Sequence, residues 1–152
     1  MIPTSILSSL VTEIIPGTDG RLVRYVEPYI FQSQVLYNLG LQYVRQIPIN
    51  FICDLESIPW FRGSCPEAGG IHDLACRIDF DPKVTKKVAA DLYLEFMRFC
   101  YARDNQDGLK GKVEQVKDKS LEYLKYYTVR IWPNYFHKLN TLATLEEVRR
   151  VV

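Results

Sequence analysis

The sequence predicts an α+β domain in which an N-terminal antiparallel hairpin sheet packs against about three C-terminal helices. Three observations predict it. Strand and turn patterns fill the first half, helical spacing fills most of the chain beyond Asp54, and a loop rich in proline and glycine (Pro59, Gly63, Pro66, Gly69, Gly70) lies between them. With 152 residues, 47% apolar and 24% charged, the chain reads as one domain over 1–152 that can bury a core. Extended arms are expected at 1–9 and 134–152, where apolar side chains (Ile2, Ile6, Leu7; Leu139, Leu142, Leu145, Val148) need a surface to dock on, and for at least one end that surface is expected to be a neighbour's.

The elements come in this order. Leu10 to Ile15 is a strand-like run closed by Pro16-Gly17-Thr18-Asp19-Gly20, and Asp19-Gly20 is a strong hairpin-turn pair. Arg21 to Tyr25 returns as the second strand, and the chain continues past Pro28 into Tyr29-Ile30-Phe31. Alternation over 41–47 places Leu41, Tyr43, Arg45 and Ile47 on one side, while Pro28 and Pro48 mark strand ends or sheet edges. Ile71, Leu74, Ala75 and Ile78 make a short helical stripe; Val84, Val88, Leu92, Phe96 and Cys100 make a longer one at an i, i+4 step. Asp81-Pro82 is expected to open that long helix, because Asp caps orphan N–H groups and Pro fits a first turn. Beyond Asp107-Gly108, Val113, Val116, Leu124, Tyr127 and Ile131 recur at helical spacing until Pro133. Thr144 with Glu147 three residues on predicts a capping box on a short last helix anchored by Leu145 and Val148.

Composition excludes several functions. Lys and Arg number 19 against 18 acids, a net charge of +1, so there is no basic footprint and no nucleic-acid partner is expected. No apolar stretch approaches the roughly 20 residues that cross a bilayer, so no transmembrane segment is expected. The start, Met1 to Ser5, lacks the positive region of a signal peptide. Cysteines 53, 65, 76 and 100 form no C-x-x-C pair, which is not a zinc-finger spacing, and they read as reduced, mostly buried thiols. Trp60-Phe61 reads as core packing or a partner-binding anchor, and the aromatic group Tyr123, Tyr126, Tyr127, Trp132, Tyr135 and Phe136 as core or interface packing.

The informative stretch is Ile47-Pro48-Ile49-Asn50-Phe51-Ile52-Cys53-Asp54-Leu55-Glu56-Ser57-Ile58-Pro59, then Gly70-Ile71-His72-Asp73, then Ala90-Asp91-Leu92. It resembles a family of small phage and prophage proteins, described only as a domain of unknown function, that carry V-P-x-G-F-x-T-D-L-A-S-x-P, H-D-x-x-Y and A-D-x-x-F in this order. The resemblance covers roughly residues 10 to 131 and rests on Asp54, Ser57, Pro59, His72, Asp73 and Asp91 together. Asn50, Cys53, Glu56, Cys76 and Leu94 depart from that pattern, Cys76 taking the place of the tyrosine. The resemblance implies a phage setting: the virion, or host cytoplasm before assembly, with other phage structural proteins or a second copy as partners.

His72 is the one residue in this set whose unperturbed pKa lies near neutrality, which makes it the candidate base. Neighbours on a helix point about 100° apart, so His72 and Asp73 have different roles. The candidate catalytic residues are therefore His72, Asp91, Asp54 and Ser57. A His-Asp pair opening one helix, with an Asp on the next, also resembles secreted phospholipases and the lipase segment of parvovirus capsids. That resemblance implies His72 as base, Asp91 as its orienter and Asp73 as ligand to a divalent cation; no other cofactor is implied. A purely structural reading stands beside it. Asp54 and Ser57 would then tie their own turn, Asp73 would complement the start of a helix dipole, and Asp91 would pair with Lys87 one turn back. Two function classes are open: a virion-associated (tail) or accessory structural protein with a His-Asp polar centre, or an envelope-directed hydrolase of lipid or peptidoglycan using His72.

Overall fold

The computed structural model describes residues 2–54, 65–104, 121–131 and 138–150. In chain order the elements are β1 (Ser5–Ile6), β2 (Thr12–Ile14), β3 (Val23–Tyr25), β4 (Tyr29–Gln32), α1 (Gln34–Asn38), β5 (Val44–Ile47), β6 (Ile52–Cys53), α2 (Pro66–Ala75), α3 (Lys86–Asp104), α4 (121–131) and α5 (Leu145–Arg149). This is the expected α+β segregation, with one refinement. The strands form two three-stranded antiparallel sheets, ordered β1-β4-β5 and β2-β3-β6, where the sequence suggested one.

The first hairpin obeys its turn chemistry. Asp19 (φ 51°) and Gly20 (φ 72°) both take positive φ between Thr18 and Arg21, whose N–H donates to the Thr18 carbonyl, the geometry that a twisted hairpin prefers. β2 and β3 then pair with Glu13 opposite Arg24, an exposed ion pair at 2.9 Å. Around β5 the alternation also holds: Tyr43, Arg45 and Ile47 turn inward while Gln42, Val44 and Gln46 face solvent. Tyr25, Tyr29, Phe31, Leu36, Ile47 and Phe51 from this half meet Ile71, Leu92, Phe96 and Met97 from the helices in the main core.

α2 is buried on every side from Ala68 to Ala75, so it is a central helix rather than a surface one. Its neighbour α3 begins later than Asp81-Pro82 suggests. Thr85 starts it, its hydroxyl accepting from the Val88 N–H at 3.2 Å and its carbonyl from the Ala89 N–H. The helix at 121–131 is turned opposite to its apolar pattern. Leu124, Tyr127 and Ile131 are 56%, 55% and 79% exposed, whereas Glu122 and Lys125 are buried. Polar contacts across α3 set this orientation: Arg98 pairs with Glu122, and the Tyr126 hydroxyl donates to Asp91 at 2.9 Å.

Both described ends dock on the chain's own domain. β1 pairs with β4, Ser5 opposite Gln32, and the Thr4 hydroxyl donates to Glu95 at 2.6 Å. At the other end, Leu139, Ala143 and Val148 enter a second buried cluster with Ile15, Leu22 and Ile52, and the Ile78 N–H donates to the Leu139 carbonyl. The Thr144–Glu147 capping box is formed.

Glu95 is an unanticipated tie. Its carboxylate accepts from Thr4, from the Ser33 hydroxyl at 2.6 Å, and from the backbone N–H groups of Gln34 (2.5 Å) and Val35 (3.4 Å), joining the first strand and the start of α1 to α3. Glu95→Gln keeps the shape but removes the charge and half the acceptor capacity, so it is expected to lower stability by about 1.5 kcal/mol. A reduced urea midpoint at unchanged m-value is the readout.

Candidate functional site

His72 occupies the second turn of α2, which places it one turn before Cys76, the residue that caps the helix. Because α2 runs through the core, the imidazole is buried, with Tyr93 of α3 packed edge-on against it at 5.8 Å between ring centroids. Both ring nitrogens face polar groups. Nε2 lies 3.7 Å from the Cys76 sulfur, and Nδ1 lies 3.5 Å from Oδ1 of Asp73. Asp73 is itself buried; its Oδ1 faces the ring, and its Oδ2 has no hydrogen-bond partner among the described residues.

Cys76 is only half-buried and lines an open pocket of about 180 Å³ with Ala75, Arg77, Val84, Lys86 and Ala89. Cys76 therefore stands at the pocket wall while the imidazole behind it is buried. Arg77 anchors this end of the helix: its guanidinium stacks 4.6 Å from the Phe51 ring centroid and donates to the Ile52 carbonyl of β6. Burial by itself pulls the His72 pKa down, but the Cys76 sulfur and the Asp73 carboxylate outweigh it and push the value up to about 10.

That shift has a sign in stability. A histidine whose folded pKa exceeds its unfolded value of 6.5 contributes stability fully present below 6.5 and lost as pH rises through about 10. The urea midpoint is expected to fall across that window, and His72→Gln is expected to flatten the fall. An unchanged slope in the variant would assign the pH dependence elsewhere.

Of the other sequence candidates, Asp73 belongs to this centre and Asp91 does not. Asp91 projects from α3 two residues before Tyr93, about 200° around the helix from the ring that meets His72. Its carboxylate is occupied by Lys87 at 2.7 Å and Tyr126 at 2.9 Å, so the structure does not bring it to the imidazole as an orienter. Asp54 comes directly after β6 and is half-buried; the polar groups at the two His72 nitrogens are Cys76 and Asp73 instead. Ser57 lies outside the described residues. Asp73, expected as a metal ligand, instead faces the imidazole, and the described group with metal-ligand spacing is Cys65, Glu67 and Cys100 at the other end of α2. Sequence reasoning missed Cys76, although its i, i+4 spacing from His72 was a usable signal. No family model, curated protein or solved structure matches the chain.

Proposed function

We propose that the chain is a thiol-dependent hydrolase, with Cys76 as nucleophile, His72 as its acid–base partner and Asp73 holding the imidazole. One observation carries the reading: the sulfur of a half-buried, pocket-lining cysteine stands 3.7 Å from a buried imidazole whose other nitrogen faces a buried carboxylate. Nucleophile, base and orienting group in that order are what acyl transfer needs. The Cys76 sulfur and the Asp73 carboxylate beside the ring favour its protonated form, so His72 is placed to hold the proton that the sulfur gives up.

The S–H proton of Cys76 passes to His72 as the sulfur attacks an acyl carbon, giving imidazolium and a tetrahedral adduct. His72 then gives its proton to the leaving nitrogen or oxygen, and an acyl-thioester remains on Cys76. Water attacks the thioester, passing one proton to His72, and the released acid restores the starting pair.

Substrate size and charge narrow the class. At about 180 Å³ the pocket is smaller than the roughly 300–1,000 Å³ that encloses a drug-sized ligand, so it takes a chain end or a small acyl group. Lys83 and Lys86 on its wall favour a carboxylate-bearing substrate, which fits the short peptides of peptidoglycan better than a long lipid chain. The resemblance to small phage proteins supplies the setting, an envelope-directed accessory protein that acts in the virion or in the host before assembly. The virion-associated, purely structural reading is favoured by one other observation, the exposed face of Tyr123, Leu124, Tyr127 and Ile131, which would suit another phage structural protein or a second copy.

The experiment is hydrolysis of purified peptidoglycan and of a small chromogenic ester, before and after alkylation with iodoacetamide. Turnover that alkylation abolishes supports the hydrolase. Absence of turnover on both substrates rejects it in favour of the structural role.

A further inference from the structure

We propose that Cys65, Glu67 and Cys100 form a binding site for a soft divalent cation of the zinc class, clamping the start of α2 onto the end of α3. Cys65 is the N-cap of α2 and makes no side-chain capping bond, Glu67 lies in the first turn, and Cys100 faces them from α3. One ligand atom from each lies within 4.8 Å of the others. Ligand atoms held at about 2.0–2.3 Å from a tetrahedral zinc ion stand about 3.3–3.8 Å apart, so side-chain rotations that draw them together by about 1 Å close the set. The 34 residues of sequence between the two sulfurs hide this grouping from any spacing rule.

A second observation points to a ligand at the same place. The Tyr29 hydroxyl is buried and has no hydrogen-bond partner among the described residues, an arrangement that is costly unless something else is bound. The charged and thiol groups acting on it are Glu67, Cys100, Arg103 and Cys65. Three protein ligands leave a fourth tetrahedral position, and a water there gives Tyr29 its partner.

Charge closes as well. Two thiolates neutralise the dication, and Arg103, which donates to Glu67 at 3.0 Å, neutralises the carboxylate. Each sulfur loses one proton to solvent as the ion binds, so two protons are released per ion. Thiolates favour zinc over magnesium or calcium, and the helix N-terminus beneath Cys65 favours the anionic sulfur. Nothing in this site depends on the hydrolase reading, because His72 and Cys76 sit at the opposite end of α2.

The test titrates the full-length, reduced protein with cobalt(II) and then zinc(II). One equivalent of cobalt is expected to give a sulfur-to-metal charge-transfer band, zinc to abolish it, and each zinc to release two protons. Glu67→Gln is expected to weaken cobalt binding at least about tenfold, and C65S with C100S to remove the band. Cys76→Ser should keep it. No band at stoichiometric cobalt overturns the proposal, as does a band that survives C65S with C100S or disappears with Cys76→Ser. Should C65S with C100S fail to fold, the Glu67→Gln affinity and the Cys76→Ser spectrum decide between the two ends of α2.

Discussion

Replacing Cys76 with alanine is expected to lower hydrolysis by on the order of 10³-fold or more while leaving the fold intact. Cys76 is half-buried at the pocket wall and caps α2 through its backbone, donating to the His72 carbonyl at 3.0 Å, which alanine preserves. His72→Gln is expected to fall nearly as far, and the double variant little further, because nucleophile and base act as one unit. Asp73→Asn should cost less than either and should shift the pH profile, since it weakens the hold on the protonated ring without touching the sulfur. Circular dichroism and the urea midpoint separate lost chemistry from lost structure. A Cys76→Ala protein that still hydrolyses the ester at the wild-type rate removes the nucleophile from the reading.

Local chemistry explains what was legible beforehand. The Asp19-Gly20 turn, the 41–47 alternation and the Thr144–Glu147 capping box each depend on a few adjacent residues, and each is present as expected. The α2 stripe of Ile71, Leu74 and Ala75 is likewise buried, whereas Ile78 falls past the helix end and is half-exposed. Where partners come from afar, pattern misleads. The face of 121–131 is chosen by Arg98 and Asp91, two residues on another helix, and those ion-pair and hydroxyl contacts override the apolar stripe of Leu124, Tyr127 and Ile131. α1 was invisible because five residues carry too little periodicity; its start is held by Ser33 and by Glu95, some sixty residues on. The candidate site divides the same way. His72 and Asp73 stand out by residue type, Asp91 belongs to the Lys87 pair that the structural reading named, and Cys76 became meaningful only once the helix placed it under the imidazole.

Gly70→Ala is expected to destabilise the protein by about 2 kcal/mol, although alanine is the better helix former by about 1 kcal/mol. A Cβ at position 70 would stand 1.9 Å from the Tyr25 hydroxyl oxygen and 3.1 Å from the ring carbon that bears it. Tyr25 cannot swing aside, because its ring is fully buried and packed edge-on against Tyr29 at 6.2 Å and Phe51 at 5.7 Å. The close approach of α2 to β3 therefore requires glycine, and through α2 it fixes where His72 and Cys76 stand. Overpacking of this kind costs about 3 kcal/mol before the helix gain is returned. The Tyr25 hydroxyl makes no hydrogen bond among the described residues, so Tyr25→Phe alone should be neutral or slightly stabilising. In the Tyr25→Phe background the worst contact is gone, and Gly70→Ala should become nearly neutral. A double-mutant cycle by urea unfolding would then give a coupling of about 2 kcal/mol, equivalent to a melting difference of roughly 4–8 °C. Additive single effects would mean that α2 shifts away from β3 instead, and the same shift would move the Cys76 sulfur relative to Arg77 and its pocket.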